Sequence, residues 1–185
     1  MGAKLSYNWM TEAGMKRDEK LIPMPAEGRR RSGRVQEDHI IDPYKRIQKL
    51  PEPSFCRQCG AVYHAGRWQW GPQPSGAHDV LCQACHRIND KYPAGVVTLT
   101  GSSALANRAE LTRIARHQEA SEKQDHPLNR IINIEETADG IVINTTDIHL
   151  PARIGKAIHR AFRGKLDEHF DEAGYFVRVN WHRDD

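Results

Sequence analysis

Hydrophobic positions fall into a recognisable rhythm only from about residue 54 onward. Residues 1 to about 45 sustain neither a period of 2 nor one of 3.6, and they carry Pro23 and Pro25, so a disordered arm is expected there. In "AVYHAGRWQW" two short apolar runs flank Ala65-Gly66, which reads as a hairpin with Gly66 supplying a positive φ. "GPQPSGAHD" reads as loop, and "HRINDKY" as a helical turn that Pro93 and Gly95 stop. "VVTLT" (96–100) suits a strand. Ser102 or Ser103 can then cap a helix running to about Gln124, which Pro127 ends. "RIINIEE" and "IVINT" are β-rich and joined by "TADG", where Asp139-Gly140 signals a hairpin. A second helix is expected in "IHLPARIGKAIHRAFR", with Asp147 near its start and Pro151 in its first turn, and "YFVRVNW" (175–181) closes as a strand.

At 100° per residue the second helix separates cleanly. Leu150, Ile154, Ala157, Ile158, Ala161 and Phe162 share one arc, while Arg153, Lys156, His159, Arg160 and Arg163 share the opposite one. Past Gly164 the phase fails, so the helix should stop there and a short helix through Leu166 and Phe170 should follow. The expected class is α+β. Residues 1–45 form the arm, 46–95 a metal-clamped ribbon, and 96–185 a β-α-β-β-α(α)-β domain. A ferredoxin-like split βαβ sheet is the preferred arrangement. A KH-like order is the alternative if 96–100 stays outside the sheet, although "RGKL" lacks the second Gly of the KH loop.

Composition sharpens this picture in one respect. The 185 residues carry 28% charged and 38% apolar side chains and a formal net charge of +3, but the cations are clustered. "GRRRSGR" places Arg29, Arg30, Arg31 and Arg34 together without an acid, as expected of an arm that orders on an anionic partner. No acid occurs from Ile148 through Leu166, and "DEHFDE" follows directly. That segregation favours an anionic partner such as rRNA over an ordinary solvated face. No apolar stretch reaches the ~20 residues of a membrane span, and "MGAKLSYNWM" lacks a signal-peptide core. A cytoplasmic protein is expected, with its cysteines reduced.

The chemistry lies in two Cys-x-x-Cys pairs separated by 22 residues. Cys56, Cys59, Cys82 and Cys85 can make a tetrahedral site for one structural Zn²⁺, each pair aiming two sulfurs at one point from a tight turn. His64, His78 and His86 lie close enough in sequence to replace a ligand. A redox pair would need one Cys-x-x-Cys with an activated thiol. Around the cysteines stand Arg57, Arg67, Trp68, Trp70, Arg87 and Lys91, residue types that suit stacked bases and phosphates. The plainer alternative is that one Trp covers the metal and the Arg side chains balance its charge.

The stretches "DPY…PEPSFCRQCGAVYHAGRWQW…LCQACHRINDKYPAG", "HPLNRI" and "TTDIHLPARIGKAIHRAFRG" resemble bacterial zinc-ribbon proteins grouped with the large-ribosomal-subunit nuclear export adaptor. The resemblance covers roughly residues 40–183. The adaptor's additional Cys pairs and domains have no counterpart here. The resemblance implies contact with the large ribosomal subunit. The expected function is therefore a non-enzymatic, zinc-stabilised RNA-binding protein on the ribosome, occupying a functional site under stress or hibernation, or acting during assembly. RNA contacts would come from Arg29, Arg30, Arg31, Arg34, Arg67, Trp68, Trp70, Arg87, Arg153, Lys156, Arg160 and Arg163. Alternatives are an RNA-processing enzyme, for which no His–carboxylate spacing or phosphate loop is evident, and a protein adaptor anchored by Trp68 and Trp70. No small-molecule substrate is indicated.

Overall fold

The hairpin expected at Ala65-Gly66 forms, and both residues take positive φ (52° and 76°), the twist that suits a two-residue connection. In the computed structural model, which describes residues 42–44, 49–172 and 174–185, this hairpin joins β2 (Ala61–His64) to β3 (Arg67–Trp70). The expected arm, including Arg29, Arg30, Arg31 and Arg34, lies outside the described residues except for 42–44. β1 (Ser54–Cys56) pairs antiparallel with β2. β4 (His78–Val80) pairs parallel with β1, giving a mixed sheet of order β3-β2-β1-β4. β4 lies in the stretch read as loop. Its three residues are too few to show a period, and the pairing is made with a strand more than twenty residues away. α1 (Gln83–Asp90) starts inside the second Cys pair, earlier than expected, because Cys82 caps it: its sulfur accepts from the Cys85 N–H.

The rest of the chain forms one five-stranded sheet with helices on one face. β5 (Gly95–Thr100) is followed by α2 (Ser102–Ala106), α3 (Arg108–Asp125), β6 (Ile131–Thr137), β7 (Gly140–Thr145), α4 (His149–Phe162), β8 (Lys165–Phe170) and β9 (Val177–His182). The order is β6-β7-β5-β9-β8. β5 is its centre, which removes the ground for the KH-like order. β5 and β9 run parallel and every other pair antiparallel.

Three expectations change. The short helix through Leu166 and Phe170 is instead β8, an outer strand paired with β9 from Lys165↔His182 to Phe170↔Val177. Only Leu166 of its six residues is partly buried, and so exposed an edge carries no period of 2 to read. A split βαβ sheet would set the last strand antiparallel beside the first; here β9 lies parallel to β5, and β8 occupies the outside. The helix from Ser102 breaks at Asn107 (φ −116°). Neither serine caps it by its side chain; instead the Ser102 N–H donates to Asp184 Oδ1 and the Ser103 N–H to the Arg183 carbonyl. The β6–β7 loop is Ala138-Asp139, and Gly140 already pairs with Thr137. A Cβ on Gly140 would stand 1.9 Å from the Leu99 carbonyl oxygen, so the glycine permits strand approach as well as the turn.

Val97, Leu99, Ile141, Ile143, Val177, Val179 and Trp181 point to the helices and are fully buried. They meet Leu111 and Ala115 of α3 and Leu150, Ile154 and Ile158 of α4. The two arcs of α4 are as calculated, except that Ala161 is exposed. Asp147 opens α4, its Oδ1 accepting from the His149 and Leu150 N–H groups at 2.7 and 2.9 Å. Burial pushes its carboxyl pKa above the ordinary range, against those two donors. Arg178, Asn180 and His182 face outward on the uncovered side, as the alternation of β9 predicts. Both sheets belong to one compact unit, Glu37–Asp185. Among the described residues no helix is long and apolar enough to cross a membrane.

Candidate metal centre

Each Cys pair begins at the end of a regular element and turns at once. Cys56 ends β1, and the Gly60 N–H donates to its carbonyl at 2.8 Å while Gly60 takes φ 79°. That turn brings Cys59 back beside Cys56. Cys82 caps α1 and Cys85 lies in its first turn. The Sγ atoms of all four lie within 4.8 Å of one another, with no histidine among them. Four sulfurs held about 2.3 Å from one ion stand about 3.8 Å apart on tetrahedral edges. Cys56–Cys85 and Cys59–Cys82 are 3.8 and 3.7 Å apart. These spacings are far too long for disulfides, which close at about 2.05 Å. The set fits one tetrahedral metal ion.

The surroundings act unequally on the four sulfurs. Cys56, Cys82 and Cys85 are buried, and Cys59 is the most accessible. Backbone N–H groups point at sulfur: Cys82 N to Cys56 Sγ at 3.3 Å and Cys85 N to Cys82 Sγ at 3.4 Å. Hydrogen bonds from the Cys82 and Cys85 thiols, and then from the Ala61 N–H and Arg130, push the Cys59 pKa far down against its burial. Negative charge therefore collects first on Cys59, while the hydrogen bonds that Cys82 and Cys85 make to it push both of those thiols up.

Arg130 is the residue that sequence reasoning did not single out. It is 6% exposed, and its guanidinium lies on the cluster, with Nη2 2.9 Å from Cys59 Sγ and Nη1 3.4 Å from Cys85 Sγ. Its Nε donates to the Pro127 carbonyl at 2.6 Å. Burial opposes the guanidinium charge, but the hydrogen bond to Cys59 and the charge of the cluster outweigh it and hold the pKa above its ordinary value. A buried guanidinium needs an anionic partner. Neutral thiols or disulfides would not supply one; thiolates do. The signal available in sequence was the isolated basic residue of "HPLNRI", but its partner Cys59 is 71 positions away.

The decoration around the cysteines resolves into distinct roles. Trp68 packs on the sulfur cluster and tilts against Tyr63 at 5.5 Å. Trp70, 38% exposed, donates its indole N–H to the Lys123 carbonyl of α3 at 2.6 Å. Lys123 and Arg130 stand 5.7 and 5.9 Å from its ring centroid. Arg87 is 4% exposed, so its expected surface contact with RNA is corrected. It pairs with Asp42 at 2.6 Å, donates to the Tyr92 carbonyl, and lies over Tyr44 at 4.5 Å. Arg57 pairs with Asp79 at 3.0 Å.

The cations of α4 make no hydrogen bond to the sulfurs. Arg153 is tied to buried Glu122 at 2.6 Å, and Lys156 to Glu168 at 3.4 Å. Arg160 and Arg163 are exposed, as is Arg67. Among the described residues none of these three has an acidic partner. Thus two of the four expected α4 contacts are partly neutralised and two are not. Comparison with protein-family models, with curated proteins and with solved structures gave no match.

Proposed function

We propose that the chain is a zinc-stabilised, non-enzymatic RNA-binding protein that associates with the ribosome through its large subunit. Four thiolates in tetrahedral array suit Zn²⁺, and a shell completed by protein sulfur leaves no position for a reacting water. The metal on this reading is structural. It fixes β1–β4 and α1, a segment with a small apolar core of its own. The observation that carries RNA binding is the α4 surface. The helix bears no acid, and Arg160 and Arg163 project from it exposed and unpaired. An exposed cation without an acidic neighbour is available to a phosphate at little desolvation cost. Arg67 on β3 offers a further contact. The adaptor reading is less favoured, because Trp68 packs on the sulfur cluster and Trp70 bonds to α3 within the chain.

The test is cosedimentation with ribosomal particles over a salt series, comparing wild type with R160A/R163A. Weaker binding with a shallower salt dependence is expected, because two phosphate contacts are lost. Binding that is unchanged in the variant would make the stripe a solvated face. Metal analysis of the purified chain should find one zinc, and Cys82→Ser should abolish it. The expected stress, hibernation or assembly role requires the protein on ribosomes in the corresponding cells, which gradient fractionation of a tagged chain reads directly.

A further inference from the structure

The two modules meet at Arg130, and the contact is more than packing. Its backbone adjoins the second sheet just before β6: the Thr146 N–H donates to its carbonyl at 2.9 Å, and its own N–H donates to Thr146 Oγ1 at 2.9 Å. Thr146 Oγ1 in turn donates to the Leu128 carbonyl at 2.6 Å, so the start of the β6–β7 hairpin is fixed from both sides. From this support the side chain reaches into the first module. Nε is held by Pro127 and the two terminal nitrogens lie on Cys85 and Cys59, so each part of the fork is engaged. Among the described residues, no other cationic side chain is hydrogen-bonded to these sulfurs.

The charges show what this achieves. Four thiolates around a divalent ion carry a net −2, here placed where three of the four side chains are buried. Burying an uncompensated charge is unfavourable even after relaxation of its surroundings. One guanidinium in direct contact halves the net charge. Cys59, the ligand nearest solvent, receives the shortest of the Arg130 bonds to sulfur, so the compensation is strongest where protons, chelators and electrophiles have access. We infer that Arg130 is a positioning residue of the metal centre: it acts through the Cys59 and Cys85 sulfurs to hold the ion, and it makes occupancy of the site and order at the start of the β6–β7 hairpin depend on each other. Groups that hydrogen-bond a metal's ligands commonly change metal affinity by about 10–100-fold when removed.

The inference rests on the metal reading but not on RNA binding. The experiment uses the full chain loaded with Co²⁺ as the probe, in wild type, R130M and R130K. A donor on thiolate sulfur withdraws electron density, so its loss should move the sulfur-to-cobalt charge-transfer band to lower energy, an effect that a merely structural role would not produce. Release of the ion to a chromogenic chelator should be about 10–100-fold faster in R130M. R130K keeps the charge but loses the fork and should release the ion at an intermediate rate. If R130M does not fold, R130K carries the test by the same two readouts. A charge-transfer band and release rate equal to wild type in whichever variant folds would overturn the inference. A wild-type chain that takes up no Co²⁺ overturns the metal reading and this inference with it.

Discussion

Replacing Trp70 tests whether this ring is a clasp between the two modules or a platform for a base. α3 ends just before Pro127, which has no N–H, so the Lys123 carbonyl lacks the donor that a continuing helix would supply four residues on. The indole N–H of Trp70 takes that place at 2.6 Å. Trp70→Phe keeps most of the packing and removes this bond, a net loss of about 1 kcal/mol, since water can partly rehydrate the carbonyl. Trp70→Ala also gives up the burial. With 38% of the side chain left exposed, about three-fifths of a ring that buries roughly 200 Å² is lost. At about 25 cal/mol per Å² that is a further ~3 kcal/mol. For a chain of this size each kcal/mol lowers Tm by about 2–4 °C. The assay is thermal unfolding of the metal-loaded chain beside cosedimentation with ribosomes. The clasp predicts a modest Tm loss for Phe, a large one for Ala, and ribosome binding retained by the Phe variant. An unchanged Tm in Trp70→Phe together with lost binding would refute the reasoning and restore the ring as a stacking surface.

Arg87→Ala should destabilise the chain by about 1.5–3 kcal/mol in chemical denaturation, because it strips half-buried Asp42 of a charge-assisted hydrogen bond, whereas Arg67→Ala on the exposed rim of β3 should stay within about 0.5 kcal/mol; similar losses for both would undo the burial argument. Gly140→Ala sets a Cβ against the Leu99 carbonyl oxygen and should separate β5 from β7, read as lost amide protection along both strands, while a wild-type exchange pattern would count against it. Asp147 has a carboxyl pKa raised by burial, so the folded state binds its proton more tightly and the stability it contributes is fullest below the ordinary carboxylate range. That contribution is lost as pH rises through the elevated folded pKa. The Tm of wild type should therefore fall relative to that of Asp147→Asn as pH rises through the raised pKa, and a wild type that gains on the variant over that range would contradict the assignment.

What could be read in the sequence is what local periodicity or fixed spacing reports. The two Cys pairs announce their cluster because the turns that join them are short. The stripe of α4 and the alternation of β9 are visible because each buries one continuous face. β4 and β8 escape for the complementary reason. One is three residues long and the other is an almost wholly exposed edge, so neither writes a pattern, although each completes a sheet. Arg87 misleads because residue type says that cations suit nucleic acid, while its partner Asp42 is 45 positions away. Arg130 goes unnoticed for the same reason.

These long-range contacts bear on how the chain should come apart. The sequence suggests a ribbon and a second domain with separate cores, and on that basis removing the metal would unfold the first and spare the second. The contacts between them argue otherwise. Trp70 satisfies a carbonyl of α3, and Arg130 spans from Thr146 to Cys59. Releasing the thiolates to thiols would leave the Arg130 guanidinium buried without its anion, at a cost of the same order as breaking a buried pair, about 3–5 kcal/mol. That penalty falls on the second sheet, because Arg130 immediately precedes β6. Relief requires the 126–131 segment to leave its place, so the strain of an emptied site passes to the β6–β7 hairpin rather than stopping at the sulfur cluster.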